Sequence, residues 1–155
     1  MAARPISQTT AGEDGLARVR IIFLTITAVV ALLGLADATY LTVAHLAGDD
    51  SVCGPSKDCA IVLGSVYASV RGIPAAAFGA LGYFVVFALA TLAAVGYARA
   101  RTFLAIGVAA MFLGTLFLLY VQAFVLHAFC PFCLLSAALT FMLAGLVLAT
   151  PPSLR

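Results

Sequence analysis

Four long apolar runs dominate this chain and leave few folds open to it. They cover residues 21–46, 75–97, 103–129 and 132–149. Each meets the ~18–20 residues that an α-helix needs to cross a hydrocarbon core. In lipid the backbone must satisfy its own hydrogen bonds within the segment, so such runs are helices. A soluble protein that buried four of them would need polar surface to cover them. Only 9% of the 155 residues are charged and 65% are apolar, against about 25% and ~45–50% in soluble domains. The sequence therefore predicts an all-α integral membrane protein, a single domain over 1–155 built as a four-transmembrane-helix bundle in lipid. A formal net charge of +2 is too small to mark a nucleic-acid partner.

The first run continues past Ala36-Asp37-Ala38 and far exceeds the ~7–15 residues of a cleaved signal core. It reads as a retained helix that also directs insertion. Four crossings put both termini on one side, with Arg4, Arg18, Arg20, Arg99, Arg101 and Arg155. Only Lys57 and Arg71 fall on the other. Positive charge marks the cytoplasm, so both termini are expected there, residues 1–20 as a polar, mobile tail. The segment 47–74 is then an outer loop, and its stretch from Cys59 to about Val70 is apolar enough for a short helix. Ala110 and Gly114 have the spacing of small residues that let helices approach closely.

All four cysteines fall on the outer side of this topology, where disulfides persist. The first pair, Cys53-Gly-Pro-Ser-Lys-Asp-Cys59, sits in a turn-rich, mobile stretch. The second is Cys130-Pro-Phe-Cys133. Pro131 suits the first turn of a helix, which places Cys130 at the helix start and Cys133 one turn in. A helix N-terminus lowers a thiol pKa and so favours the reactive thiolate. Asp58 is a candidate N-cap that would give Cys59 the same help. One mobile pair and one fixed pair make a relay. A structural disulfide framework is the bland alternative, and an even cysteine count always permits it. A zinc site of four thiolates is weakened by the unequal spacings, and no metal is expected.

Other residues extend the pattern. Gly34-Leu35-Ala36-Asp37 and Tyr40-Leu41-Thr42 lie late in the first run. Ser65 stands six residues after Cys59, followed by Tyr67-Ala68, Gly72-Ile73-Pro74, Phe78-Gly79 and Tyr83. With the cysteines in this order, the chain resembles the bacterial homologues of vitamin K epoxide reductase over nearly its whole length. An unrelated four-helix quinone-reducing oxidase places its C-x-x-C pair first rather than last. The animal enzymes have a Thr-Tyr-Ala motif soon after the C-x-x-C, where this chain has Leu134-Leu135-Ser136-Ala137. They also have an asparagine near the start of the second helix, where this chain has Ala75. Both departures speak against vitamin K epoxide as substrate.

The resemblance implies a quinone-dependent thiol oxidase in a bacterial plasma membrane, using ubiquinone or menaquinone. A thioredoxin-like partner in its dithiol form would attack a Cys53–Cys59 disulfide at Cys53. Freed Cys59 would attack Cys130, and released Cys133 would pass electrons to the quinone. Many family members carry the thioredoxin-like domain fused. This chain ends at Arg155, which predicts a separate partner. Reverse flow, as a membrane reductant of outer thiols, is a rival reading, as is a disulfide-stapled scaffold without turnover.

Ser65 matches the family serine near the quinone, although a turn serine also bonds its own backbone. Phe78 and Tyr83 are candidate walls of the quinone pocket, or simply packing. Asp37, the one acid inside a spanning run, is costly there and reads as a proton-handling group at the quinone site, or as a solvated interfacial acid. His45 and His127 fall near the outer interface and read as helix ends.

Overall fold

A computed structural model describes the backbone of residues 6–48 and 57–151, with side chains from residue 14 onward. Helix α1 spans Ile6–Ala47, and the short α2 spans Lys57–Leu63. A single 3₁₀ turn, Val66–Ala68, leads into a minimal hairpin of β1 (Ser69–Val70) and β2 (Ile73–Pro74). Then come α3 (Ala75–Ala94), α4 (Ala98–Tyr120) with a π-helical extension at Val121–Leu126, and α5 (Pro131–Ala149). Four of these helices are long and apolar enough to cross a membrane: Asp14–Ala47, Ala75–Ala94, Ala98–Leu126 and Pro131–Ala149. The chain is a multi-pass membrane bundle.

The helix ends differ from the sequence expectation for local reasons. The expected tail before residue 21 is helical from Ile6, because hydropathy locates the lipid core and not the end of a helix. Helix α3 stops at Ala94 rather than 97. There the Gly96 N–H bonds the Ala93 carbonyl and the Tyr97 N–H bonds the Leu92 carbonyl, the paired bonds of a Schellman stop. Gly96, at φ 108°, takes the conformation this stop requires. Helix α4 already begins at Ala98, and Pro131 opens α5 in its first turn. Between Val70 and Ile73 a two-residue turn has positive φ at both Arg71 and Gly72. That is the twist a tight hairpin prefers.

The helices form a ring in which α1 packs on α3, α3 on α4, α4 on α5 and α5 on α1. Small residues fill much of the interior, among them Ala31, Ala38, Ala90 and Ala93, together with Leu24, Tyr83, Val86, Leu104 and Leu143. Large apolar side chains such as Leu33, Leu81, Phe117 and Leu148 point outward. That distribution suits a hydrocarbon solvent, in which association rests on close packing rather than on hiding apolar surface. The tightest approach is between α1 and α3. A Cβ on Gly34 would overlap carbons at the edge of the Tyr83 ring, so only glycine lets the two helices come this close. The expected contact at Ala110 and Gly114 is not made: Ala110 is exposed and a Cβ on Gly114 would meet nothing within 4 Å. Small-residue spacing permits approach, but the facing surface decides where it happens.

One end of the bundle carries Arg20 and Arg101 around the α3–α4 turn, where an Arg101 guanidinium N–H donates to the Thr150 carbonyl at 2.6 Å. The other end carries α2 and the α4–α5 junction, with three of the cysteines.

Candidate functional site

The site is built where α4 gives way to α5. The π-helical turn ends at His127, which takes a left-handed conformation with φ 48°. The Ala128 N–H reaches back to the Gln122 carbonyl at 3.1 Å. Two residues later Cys130 stands at the N-cap of α5, its own carbonyl accepting from the Leu134 N–H at 3.0 Å. Its backbone N–H donates to Oε1 of Gln122 at 3.1 Å. The C-x-x-C pair is thus held at a helix start and tied to the preceding helix.

Helix α2 lies over this junction. Cys59 and Cys130 are both fully buried, with Val62 and Ala128 around them and Leu63, Leu126, Phe132 and Cys133 packed alongside. The Sγ atoms of Cys130 and Cys59 are 3.6 Å apart, close to van der Waals contact. Cys59 is disulfide-bonded, whereas Cys130 and Cys133 are free thiols. Cys53 lies outside the described residues. Helix α2 starts at Lys57, so Asp58 sits inside its first turn and is not the cap ahead of Cys59.

The Cys130 thiol is lowered to about 6. The Cys133 thiol, acting as donor to it, is the largest cause; burial opposes it, and the N–H groups of Cys133 and Phe132 at the start of α5 add to the lowering. The Asp37 charge acts weakly in the other direction. Cys130 is therefore mostly thiolate above pH ~6 and protonated below, and only the thiolate exchanges. The exchange between Cys130 and the Cys59 disulfide is expected to be flat from pH 7 to 8. It should fall about tenfold per pH unit below ~6, as measured by rapid acid quenching and thiol alkylation. A profile that instead rises to pH 9 would show an ordinary thiol.

Inside the bundle next to Cys133 lies a cavity of about 290 Å³. Its walls are mostly apolar, including Leu41, Phe78, Met111 and Leu126, with Ser65, Tyr83, Gln122 and Thr140 as polar groups. A volume of this size is at the small end for a ligand pocket and fits a quinone ring better than a whole prenylated molecule. Cys133 and the expected Ser65, Phe78 and Tyr83 all line it. The Ser65 hydroxyl donates to the Val62 carbonyl at 2.8 Å, the local bond typical of a turn serine. Phe78 is half exposed, while Tyr83 is buried. The Tyr83 hydroxyl lies 2.8 Å from the Ser136 carbonyl and 3.0 Å from both the Ser136 and Thr140 hydroxyls. His45 also lines the cavity, and His127 is exposed.

Asp37 departs from the expectation. Ala38, Leu41 and His45 of α1 line the cavity and Asp37 does not. The reason is helical phase: one residue back is a turn of about 100°. Asp37 instead shares a face with Tyr40, whose ring meets Phe132 at 5.8 Å between centroids, and its charge is felt at Cys130. Its Oδ2 is buried without a hydrogen-bond partner among the described residues. The sequence reading missed Gln122, Ser136 and Thr140. A polar residue in an otherwise apolar run was the available signal for all three.

Fold and site together define a helical membrane oxidoreductase with a dithiol at the mouth of an internal cavity. The model of the vitamin K epoxide reductase family matches residues 25–148, and the chain belongs to that family. A comparison with individual curated proteins found no match.

Proposed function

We propose that this protein is a quinone-dependent thiol oxidase that re-oxidises a thioredoxin-like partner on the outer face of a bacterial plasma membrane, with both its termini cytoplasmic. The observation that carries this reading is one line of contact. A disulfide-bonded Cys59 lies 3.6 Å from Cys130, and Cys133 of the same dithiol lines the cavity.

In the proposed relay a thiolate of the partner attacks Cys53 of a Cys53–Cys59 disulfide and releases Cys59 as thiolate. The partner's second thiol resolves the mixed disulfide. The partner leaves oxidised, and Cys53 and Cys59 keep two electrons and take up two protons. The Cys59 thiolate then attacks Cys130 of an oxidised Cys130–Cys133 pair, releasing Cys133. Cys53 closes the cycle on Cys59. A free Cys130–Cys133 dithiol beside an oxidised Cys59 corresponds to the state after this transfer.

A quinone held in the cavity supplies the acceptor for two electrons and two protons. Tyr83, Phe78 and Leu41 would hold its ring, with Ser65 at one edge. The Tyr83 hydroxyl is fixed by Ser136 and Thr140, so its ring is a rigid wall. The cluster of Val62, Ala128 and Phe132 around the sulfurs keeps water from the exchange.

The test uses the purified protein in detergent, a short-chain quinone and a reduced thioredoxin-like protein, with quinone absorbance as the readout. Many turnovers per protein are expected. A single turnover or none, with all cysteines locked in disulfides that resist exchange, would favour a stapled scaffold. Turnover only from quinol towards an oxidised partner would establish the reverse flow.

A further inference from the structure

Gln122 is only 4% exposed, yet it sits in the wall of the cavity. Its Oε1 accepts the Cys130 N–H at 3.1 Å. Because that donor is a backbone N–H, the orientation of the amide is fixed by chemistry: the oxygen must face Cys130, and the NH₂ group must face away. Among the described residues no acceptor takes the Nε2 hydrogens. Unlike Arg20 Nε and Asp37 Oδ2, this nitrogen is not fully enclosed by protein, so a molecule in the cavity can reach it. Several polar groups of the same wall are committed to one another. Tyr83, Ser136 and Thr140 bond one another, and Ser65 bonds Val62. Gln122 lies in the π-helical stretch Val121–Leu126, and such bulges frequently mark functional sites.

We infer that Gln122 is a binding residue for the quinone, its side-chain N–H donating to a carbonyl oxygen of the ring while its Oε1 holds the backbone of Cys130. The inference rests on the quinone reading of the cavity and adds a residue to it. A hydrocarbon ring of the same shape offers no acceptor, so Gln122 discriminates between a quinone and its apolar isostere. A donor aimed at an oxygen that gains charge also favours reduction over mere binding. One amide then touches both the dithiol and its electron acceptor, which sets the distance between them.

The test measures equilibrium binding to the fully oxidised protein, in which no electrons are available for transfer. The probes are a dimethylated naphthoquinone and the matching dimethylnaphthalene, which lacks the carbonyls. Gln122→Met keeps the length and removes both the donor and the acceptor. It is expected to weaken the naphthoquinone about tenfold, the scale of one lost hydrogen bond, and to leave the hydrocarbon within about twofold. Equal losses for both probes would mean a distorted cavity and would overturn the inference, as would no loss for either. Gln122→Leu repeats the comparison should the methionine variant misfold. A wild type that binds the quinone no better than the hydrocarbon would overturn the inference and the quinone reading together. A wild type that prefers the quinone, with that preference intact in the variants, would overturn the inference alone.

Discussion

Replacing Cys133 with alanine is expected to reduce quinone consumption to the rate seen without protein and to leave a disulfide between Cys59 and Cys130. Both effects follow from the same contact. The two sulfurs already lie 3.6 Å apart in a pocket closed by Val62, Ala128 and Phe132, so exchange needs little movement of either helix. In the intact site Cys133 is the thiol that can expel Cys59 from Cys130, and it is the cysteine of this pair that lines the cavity. Without it, Cys130 has no partner in its own helix and electrons have no thiol at the cavity. Peptide mapping under non-reducing conditions would show the α2 peptide joined to the peptide spanning the α4–α5 junction. Normal turnover in Cys133→Ala would remove this residue from the relay. Loss of turnover without the cross-link would mean that Cys53 closes on Cys59 faster than the cross-link accumulates.

Gly34→Ala is expected to be the most damaging small change in the bundle. The new methyl would overlap the ring of Tyr83, and that ring is tethered at its far end. Its hydroxyl is held by Ser136 and Thr140 on α5, and its body is buried against Gly34 of α1. Either the helices part or the hydroxyl loses its partners. Overpacking of this kind costs about 1–3 kcal/mol, and the upper half of that range is expected here because both terms apply. Gly82→Ala is the internal comparison. There the methyl would lie 3.0 Å from Sδ of Met111, and a flexible thioether can yield, so a loss below about 1 kcal/mol is expected. Gly107→Ala meets nothing within 4 Å and should be close to neutral. Unfolding in mixed micelles with increasing denaturing detergent measures all three. A Gly34→Ala protein as stable as Gly107→Ala would refute the packing argument.

The parts of this protein that were legible in the sequence are those set by a one-dimensional signal. Apolar runs locate helices in lipid because the requirement acts on each segment alone. Pro131 marks the start of α5 for an equally local reason. What the runs do not carry is rotation about the helix axis. Asp37 looked like a pocket acid because it lies in a spanning run, but Ala38 has the phase that reaches the cavity. Small-residue spacing at Ala110 and Gly114 was visible, whereas the contact that matters pairs Gly34 with an aromatic ring 49 positions later. Gln122 stayed hidden because a π-helical turn has no composition of its own, and the residue acquires meaning only when Cys130 folds back onto it. Ser65 shows the limit from the other side: the backbone bond expected of any turn serine is present, and its place in the cavity wall was signalled by the family resemblance and not by the residue's own chemistry.

The lowered Cys130 thiol has a thermodynamic consequence for the proposed relay. Stabilising the thiolate stabilises the dithiol form of the pair relative to its disulfide, which raises the reduction potential of Cys130–Cys133. The start of α5 and the Cys133 thiol therefore do more than speed an exchange. They also make the membrane pair a better electron acceptor than an unperturbed dithiol would be, which is the poise that the proposed flow from Cys59 towards the bilayer requires.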